Sequence, residues 1–287
     1  MIKTNIKNLV KISVQGQIDN PHMSPLPASP YMVSGNGQPM LVPMYGGLVY
    51  NIELGDRALG WAAELIQPGL SIKNKDANTN NALGVYACVG NKAIVATGPA
   101  AGKTGVVIGK SSRFAEHIIC SFDKETVEKL SPEESILVQA YGVGLKLEDY
   151  PNIQAKSIDP NFIQKLPVRE EDGKLLIPVK CVIPNEYAGA GAGFNANNRT
   201  VSIMSSDPAF YAENGVKELC FGDLIAINNW DARYGHGYLR NFITIGCISQ
   251  GNSFRTGYGP AITVLFTGPV SELGTYILEN SNIKNFL

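Results

Sequence analysis

The densest group of chemically active side chains lies between residues 228 and 241. Acidic, basic, imidazole and phenol groups occur there within ten residues: Asp231, Arg233, Tyr234, His236 and Arg240. Such mixtures are typical of sites that orient a polar ligand, whereas Trp, Tyr and Arg are also enriched at subunit interfaces. The segment therefore predicts a ligand-binding pocket or an interface between copies of the chain, and the two can coincide.

A glycine-rich segment, AGAGAGFNANNR at 188–199, offers the second group of candidates. Phe194 stands where a dinucleotide-binding GxGxxG motif needs its last glycine, and no helical pattern follows, so a dinucleotide fold is not expected. Successive backbone amides can form an anion-binding nest, and three amide side chains can orient a ligand. We expect Asn195, Asn197 and Asn198 to lie near the 228–241 segment, at a shared pocket or a subunit contact. The alternative is a surface loop.

The segment GPAAGKT at 98–104 resembles a phosphate-binding loop but misses its spacing. Only three residues separate Gly98 from Gly102, where the GxxxxGK[ST] motif has four. The residues that follow, TGVVIG, predict a strand instead of the helix whose first amides hold phosphates. We therefore do not expect this segment to bind a nucleotide.

Read together with HIICSF, the same segment resembles the KOW-type turn and strand of small SH3-like barrels in ribosomal and translation proteins. The resemblance implies a barrel. It also leaves open association with nucleic acid or the ribosome through three basic residues: Lys103, Lys110 and Arg113. Three acidic residues offset that charge: Glu116, Asp123 and Glu125. Nucleic-acid binding is therefore the less favoured alternative.

The remaining composition narrows the classes of protein. Three distant histidines, with no HxH or HExxH motif, predict no metal centre, and no pattern indicates a cofactor or a catalytic residue. Five isolated cysteines in or beside apolar runs predict free thiols. A net charge of −1 gives no overall attraction to nucleic acid or anionic membranes. No apolar run suits a leader or a membrane span, so we expect a cytoplasmic protein.

Short alternating apolar runs dominate and predict a mainly β protein with few short helices. We expect N-terminal strands with a Pro-rich arm over 1–83, a small barrel over 84–147, and a C-terminal layered β-sandwich over 148–287. The segment 56–66 is expected to form a short helix, and 73–81 a loop. Asp123, Asp159 and Asp207 are placed to cap short helices.

Four stretches carry a resemblance over nearly the whole chain: GGLVYNIELGDRALGWAAELIQPGLSI, NNALGVYACVGNKAIV, GAGAGFNANN and FGDLIAI. They are similar to a prokaryotic family known only as a domain of unknown function. The resemblance implies a mainly β structure with a barrel and a layered part, and no activity. We expect a homo-oligomer that binds a small polar or anionic ligand, with a structural oligomer without catalysis as a further alternative.

Overall fold

A computed structural model describes residues 2–21, 32–43, 45–111, 116–190, 200–204, 207–255 and 257–287. Strands dominate these residues, so the predicted mainly β class is confirmed. The strands of the first half are β1 (Ile12–Ile18), β2 (Met32–Val33), β3 (Pro39–Met40), β4 (Leu70–Lys73), β5 (Lys92–Val95), β6 (Thr104–Lys110), β7 (Ile118–Ser121) and β8 (Ser135–Ala140). Those of the second half are β9 (Gln154–Ala155), β10 (Arg169–Glu171), β11 (Lys174–Val179), β12 (Cys181–Ile183), β13 (Ala188–Ala190), β14 (Thr200–Ile203), β15 (Leu224–Asp231), β16 (Gly237–Gln250), β17 (Ala261–Pro269) and β18 (Leu273–Ile277).

Six strands close into a barrel in the order β1-β4-β7-β6-β5-β8. All neighbouring pairs are antiparallel, and β1 closes the barrel by pairing with β8 from Ile12↔Ala140 to Gln17↔Ser135. The predicted barrel is therefore present. It extends beyond 84–147, because β1 and β4 come from the segment expected to hold the N-terminal strands. The strand expected after GPAAGKT is confirmed as β6.

The second half forms a seven-stranded sheet and a three-stranded sheet within the described residues. The larger sheet has the order β12-β15-β16-β17-β14-β13, and β9 pairs with β17. β13 and β15 run in the same direction, because four successive antiparallel pairings connect them. The smaller sheet has the order β10-β11-β18.

The barrel and the larger sheet meet at β6. A Cβ atom on Gly109 would lie 2.4 Å from the Cβ of Ser249, so only glycine allows the two layers to approach this closely. The peptide groups of Lys110 find partners across the contact: its N–H donates to Thr263 Oγ1 at 2.8 Å, and its carbonyl accepts from Ser249 Oγ at 3.1 Å. One apolar core then runs from Ile108 in the barrel into the sheet.

Short helices punctuate the strands. The α-helices in the described residues are α1 (Ala77–Tyr86), α2 (Lys124–Val127), α3 (Pro160–Ile163) and α4 (Pro208–Glu213). Single 3-10 turns occur at Ile6–Asn8, Asn185–Tyr187, Val216–Glu218 and Ile283–Asn285. The three predicted aspartate caps are confirmed, because the carboxylates of Asp123, Asp159 and Asp207 each accept a backbone N–H of the first helical turn.

Two local predictions are wrong. The segment 73–81 is not all loop, because α1 begins at Ala77, where the Asp76 carboxylate accepts the N–H of Thr79 and caps the helix. The segment 56–66 is not a helix. Gly60 has a φ of +94° and Leu65 a φ of +46°, and both values lie outside the right-handed helical region. The residues between them form bends and turns.

All five cysteines are thiols, as predicted. Burial raises the pKa of Cys88 to about 11 and the pKa values of Cys181 and Cys247 to about 12. Burial also raises the pKa values of Cys120 and Cys220. No helix in the described ranges is both long and apolar enough to cross a membrane. Nor do the described residues include a group of three or more His, Cys, Asp or Glu side chains suited to a metal ion.

Lys110 gives a pH-dependent prediction for the barrel. Its side chain is buried, its Nζ donates to the carbonyl of Gly84 at 2.7 Å, and burial lowers its pKa from 10.5 to about 8. Between these pH values the unfolded chain holds a proton that the folded protein has released. The free energy of unfolding of the wild type should therefore rise with pH relative to that of Lys110→Met.

Urea denaturation across that pH range checks this expectation. The exposed Lys92, on the neighbouring strand β5, provides the matched control Lys92→Met. Equal pH slopes for the wild type and Lys110→Met would contradict the prediction.

Candidate functional site

The predicted 228–241 segment is a β-hairpin. β15 and β16 form its arms, Asp231 pairs with Gly237, and residues 232–236 make the turn. The expectation of a single loop is therefore wrong for most of the segment, which continues both strands. Alternation along β16 exposes Tyr238 and Arg240.

The hairpin satisfies most of its own charge. The Arg233 guanidinium donates from Nε and Nη2 to the two carboxylate oxygens of Asp231 at 3.0 and 3.1 Å, and it lies 4.2 Å from the centre of the Phe242 ring. Asp231 is therefore the acid that pairs with one of the two arginines. Arg240 is exposed, His236 is half-buried, and only Trp230 among the three large rings is buried. Tyr234 and Tyr238 are 80% and 58% exposed.

A cleft of about 980 Å³ lies beside the hairpin and includes Arg233 and Tyr234 in its lining. Lys146 and Lys156 line the same cleft, and Lys156 Nζ donates to the carbonyl of Arg233 at 2.7 Å. Asn195, Asn197 and Asn198 lie outside the described residues. β13, which precedes their segment, points to the same end of the sheet as the C-terminal end of β15. Their predicted proximity to the hairpin stays a prediction.

A second pocket, of about 690 Å³, lies at the opposite end of the sheet, around the connection from β16 to β17. We call it the Ser253 pocket. Its walls combine aromatic rings with charged and polar groups: Glu186, Tyr187, Asp207, Tyr211, Lys217, Asn252, Ser253, Phe254, Arg255 and Tyr258. A pocket of this size with a few convergent polar groups is typical of small-molecule sites.

A completely buried carboxylate stands behind this pocket. The side chain of Glu64 is 0% exposed, yet it accepts the hydroxyl of Ser253 and, at 3.0 Å, the N–H of Phe254. Arg255 Nε lies 3.9 Å from Glu64 Oε2. Burial raises the pKa of the Glu64 carboxyl above its ordinary value and outweighs these hydrogen bonds and the charge of Arg255, which lower it. Burial likewise raises the pKa of the neighbouring Tyr45 phenol.

A strained turn follows Glu64. The next residue, Leu65, has a φ of +46°, a left-handed conformation that costs a non-glycine residue about 1–3 kcal/mol. Two backbone hydrogen bonds fix the segment. The N–H of Leu65 donates to the carbonyl of Asn252 at 2.9 Å, and the N–H of Gly251 donates to the carbonyl of Ile66 at 2.8 Å. The strained turn is therefore tied directly to the chain that carries Ser253.

A further buried polar group lies on the same segment. Gln67 is fully buried, and its Oε1 lies 2.6 Å from Ser71 Oγ and 3.1 Å from His117 Nδ1. The other ring nitrogen of His117 lies 2.9 Å from Asp19 Oδ2. Residues 64–67 thus place two buried polar side chains in separate hydrogen-bonded clusters.

The comparisons with known proteins assign the chain to a family. The model "Domain of unknown function (DUF4438), N-terminal" matches residues 31–164, and its C-terminal counterpart matches 165–287. The chain belongs to the DUF4438 family. A solved structure described as "Crystal structure of TM1086" is similar to it with 35% identity and a TM-score of 0.93, covering 100% of this chain and 99% of that chain. No curated protein is a significant match.

The sequence does not reveal the Ser253 pocket of this DUF4438 chain. Glu64 stands in GWAAELIQPG, and a helical reading of that segment puts Leu59, Ala62, Ala63 and Ile66 on the apolar side and Glu64 in water. The sequence does offer one signal: Glu64 is a lone carboxylate in an apolar run that begins at Gly60 and ends at Pro68. Neither residue suits a helix interior, so a buried turn was the better interpretation.

Glu64 yields a second pH-dependent prediction. As pH rises past 4.5, the carboxyl of the unfolded chain ionises before that of the folded protein, whose pKa is raised. The free energy of unfolding of the wild type should therefore fall relative to that of Glu64→Gln until the folded pKa is passed.

Chemical denaturation at a series of pH values measures this difference. Glu125→Gln is a control with the opposite pH dependence. The hydrogen bond from Lys129 lowers the pKa of the exposed Glu125, so the free energy of unfolding of the wild type should rise with pH relative to that of this variant. A Glu64→Gln curve parallel to that of the wild type would rule out a raised pKa for Glu64.

Proposed function

We propose that the protein binds a small polar ligand that carries an anionic group, and that the ligand occupies the Ser253 pocket. The observation that carries the proposal is the buried Glu64 carboxylate held behind a pocket-lining arginine. Burial of an ionised group is costly, and folded proteins keep such groups mainly where they are paired or functional. Perturbed ionisable groups at a pocket are the usual mark of a binding or active site.

The lining of the pocket supports this ligand class. Arg255 and Lys217 supply two positive charges, and a guanidinium binds carboxylate and phosphate groups in a planar, two-pronged geometry. Tyr211 and Tyr258 offer flat apolar surfaces with polar tips. Glu186 and Asp207 add negative charge at the wall, which favours a ligand with hydrogen-bond donors as well as its anionic group.

A thermal-shift screen tests the proposal with small carboxylic acids, amino acids, nucleosides and sugar phosphates. A ligand at one hundred times its Kd stabilises the folded state by about 2.7 kcal/mol. The stabilisation should disappear in Arg255→Gln and persist in Arg240→Gln, which changes an exposed arginine at the other end of the sheet. A hit that survives Arg255→Gln unchanged would place the ligand elsewhere, and the cleft beside the hairpin is the second candidate because Lys146, Lys156 and Arg233 line it.

Our proposal also includes self-association through the hairpin, with or without a ligand. The exposure of Tyr234 and Tyr238 beside Arg240 supports it, because these residue types are enriched at interfaces. Sedimentation equilibrium should find an oligomer that the double variant Tyr234→Ser, Tyr238→Ser weakens. A monomeric wild type at micromolar concentration would contradict this part of the proposal.

The five thiols support the proposed cytoplasmic location, since disulfides are rare in reducing compartments. We do not extend the proposal to nucleic acid. Lys110, one of the three basic residues considered for RNA contact, is 1% exposed, which corrects that expectation. Arg113 lies outside the described residues.

A further inference from the structure

Ser253 connects the buried Glu64 carboxylate to the pocket by a hydrogen bond. Its side chain is half-buried and lines the pocket, and its hydroxyl donates to Glu64. We propose that Ser253 is a nucleophile and Glu64 its general base, and that the pair transfers the acyl group of a small ester. This inference rests on the proposed ligand pocket and adds chemistry to it.

The hydrogen bonds around Ser253 set the direction of its proton. A serine hydroxyl has one hydrogen to donate and two lone pairs. The N–H of Arg255 donates to Ser253 Oγ at 3.1 Å, which occupies one lone pair. The hydroxyl hydrogen points to the Glu64 carboxylate, whose more distant oxygen lies 3.2 Å from Oγ. The second lone pair is then available to attack a ligand in the pocket.

Glu64 is oriented as a general base must be. In activated nucleophiles the base is hydrogen-bonded to the nucleophile and is itself held by a third group. Here the N–H of Phe254 holds Oε1 at 3.0 Å, and Arg255 faces Oε2. Burial raises the pKa of Glu64, so its ionised form takes a proton more readily than a carboxylate in water does.

The reaction balances without any further reagent except water. Ser253 Oγ attacks the carbonyl carbon of the ester, a new C–O bond forms, and the hydroxyl proton moves to Glu64. The bond to the alcohol breaks, and the departing oxygen receives that proton. Water then attacks the acyl-serine in the same way, which releases the acid and restores Ser253. Arg255, which lines the same pocket, supplies positive charge near the oxyanion that forms in each step.

The competing explanation is that the bond between Ser253 and Glu64 only ties two chain segments together. Mixing the full-length protein with p-nitrophenyl acetate distinguishes this structural role from the catalytic one. We expect a burst of p-nitrophenolate of about one equivalent and an acetyl group on the peptide that contains Ser253, located by mass spectrometry. Ser253→Ala should abolish both. Glu64→Gln should slow acylation by about 100-fold, and the wild-type rate should rise with pH as Glu64 ionises.

Ser131→Ala, which changes an exposed serine away from the pocket, is the matched control and should behave as the wild type. If Ser253→Ala fails to fold, Ser253→Cys decides the matter, because it retains a nucleophile and should be acetylated at position 253. Folded wild-type protein without a burst, or a burst that persists in Ser253→Ala, overturns the inference. A panel ligand that still stabilises Ser253→Ala while no acylation occurs leaves the binding proposal intact and removes only the chemistry.

Discussion

The close approach of β6 to β16 is the constraint on which the architecture depends. Gly109 contributes no side chain at the contact, and the hydroxyls of Ser249 and Thr263 form hydrogen bonds with the peptide groups of Lys110. A buried backbone group that loses its hydrogen-bond partner costs about 1–3 kcal/mol, so these hydroxyls stabilise the contact between the layers. The described chain just before β4 contacts both layers, since Leu48 pairs with Leu70 of β4 and Ile66 packs in the apolar core of the larger sheet.

Glu64 lies behind the Ser253 pocket because of the course of this chain. The segment before β4 passes along the end of the larger sheet, where Leu65 and Ile66 bond to the chain that leaves β16. A carboxylate from the first half of the chain thereby meets a hydroxyl and a guanidinium from the second half. The two DUF4438 models divide the chain at residues 164 and 165, so Glu64 and Ser253 come from different parts of the family. The part matched by the C-terminal model supplies nearly all of the pocket lining, and the part matched by the N-terminal model supplies the Glu64 carboxylate behind it.

Local physical chemistry was readable from the sequence, and long-range pairing was not. The TGVVIG pattern predicted β6, and the capping aspartates predicted the starts of α2, α3 and α4, because those signals need only neighbouring residues. The barrel was expected, but its closure by β1 and β4 depends on partners far away in the chain. The charged groups of the hairpin around Arg233 are close together in the sequence, so the sequence alone indicates them. Glu64 and Ser253 are separated by nearly two hundred residues, and no composition or spacing rule joins them.

The strained backbone of Leu65 means that the free-energy cost of ordering Glu64 falls on folding. The left-handed backbone of Leu65 costs free energy in the folded state. The backbone hydrogen bonds between residues 64–66 and 251–252 offset this cost during folding. For the proposed ligand, the Glu64 carboxylate would need no reorientation, and its ordering would add no entropic cost to association. The backbone strain is thus present before any ligand arrives, and the proposed binding would meet a carboxylate that is already ordered.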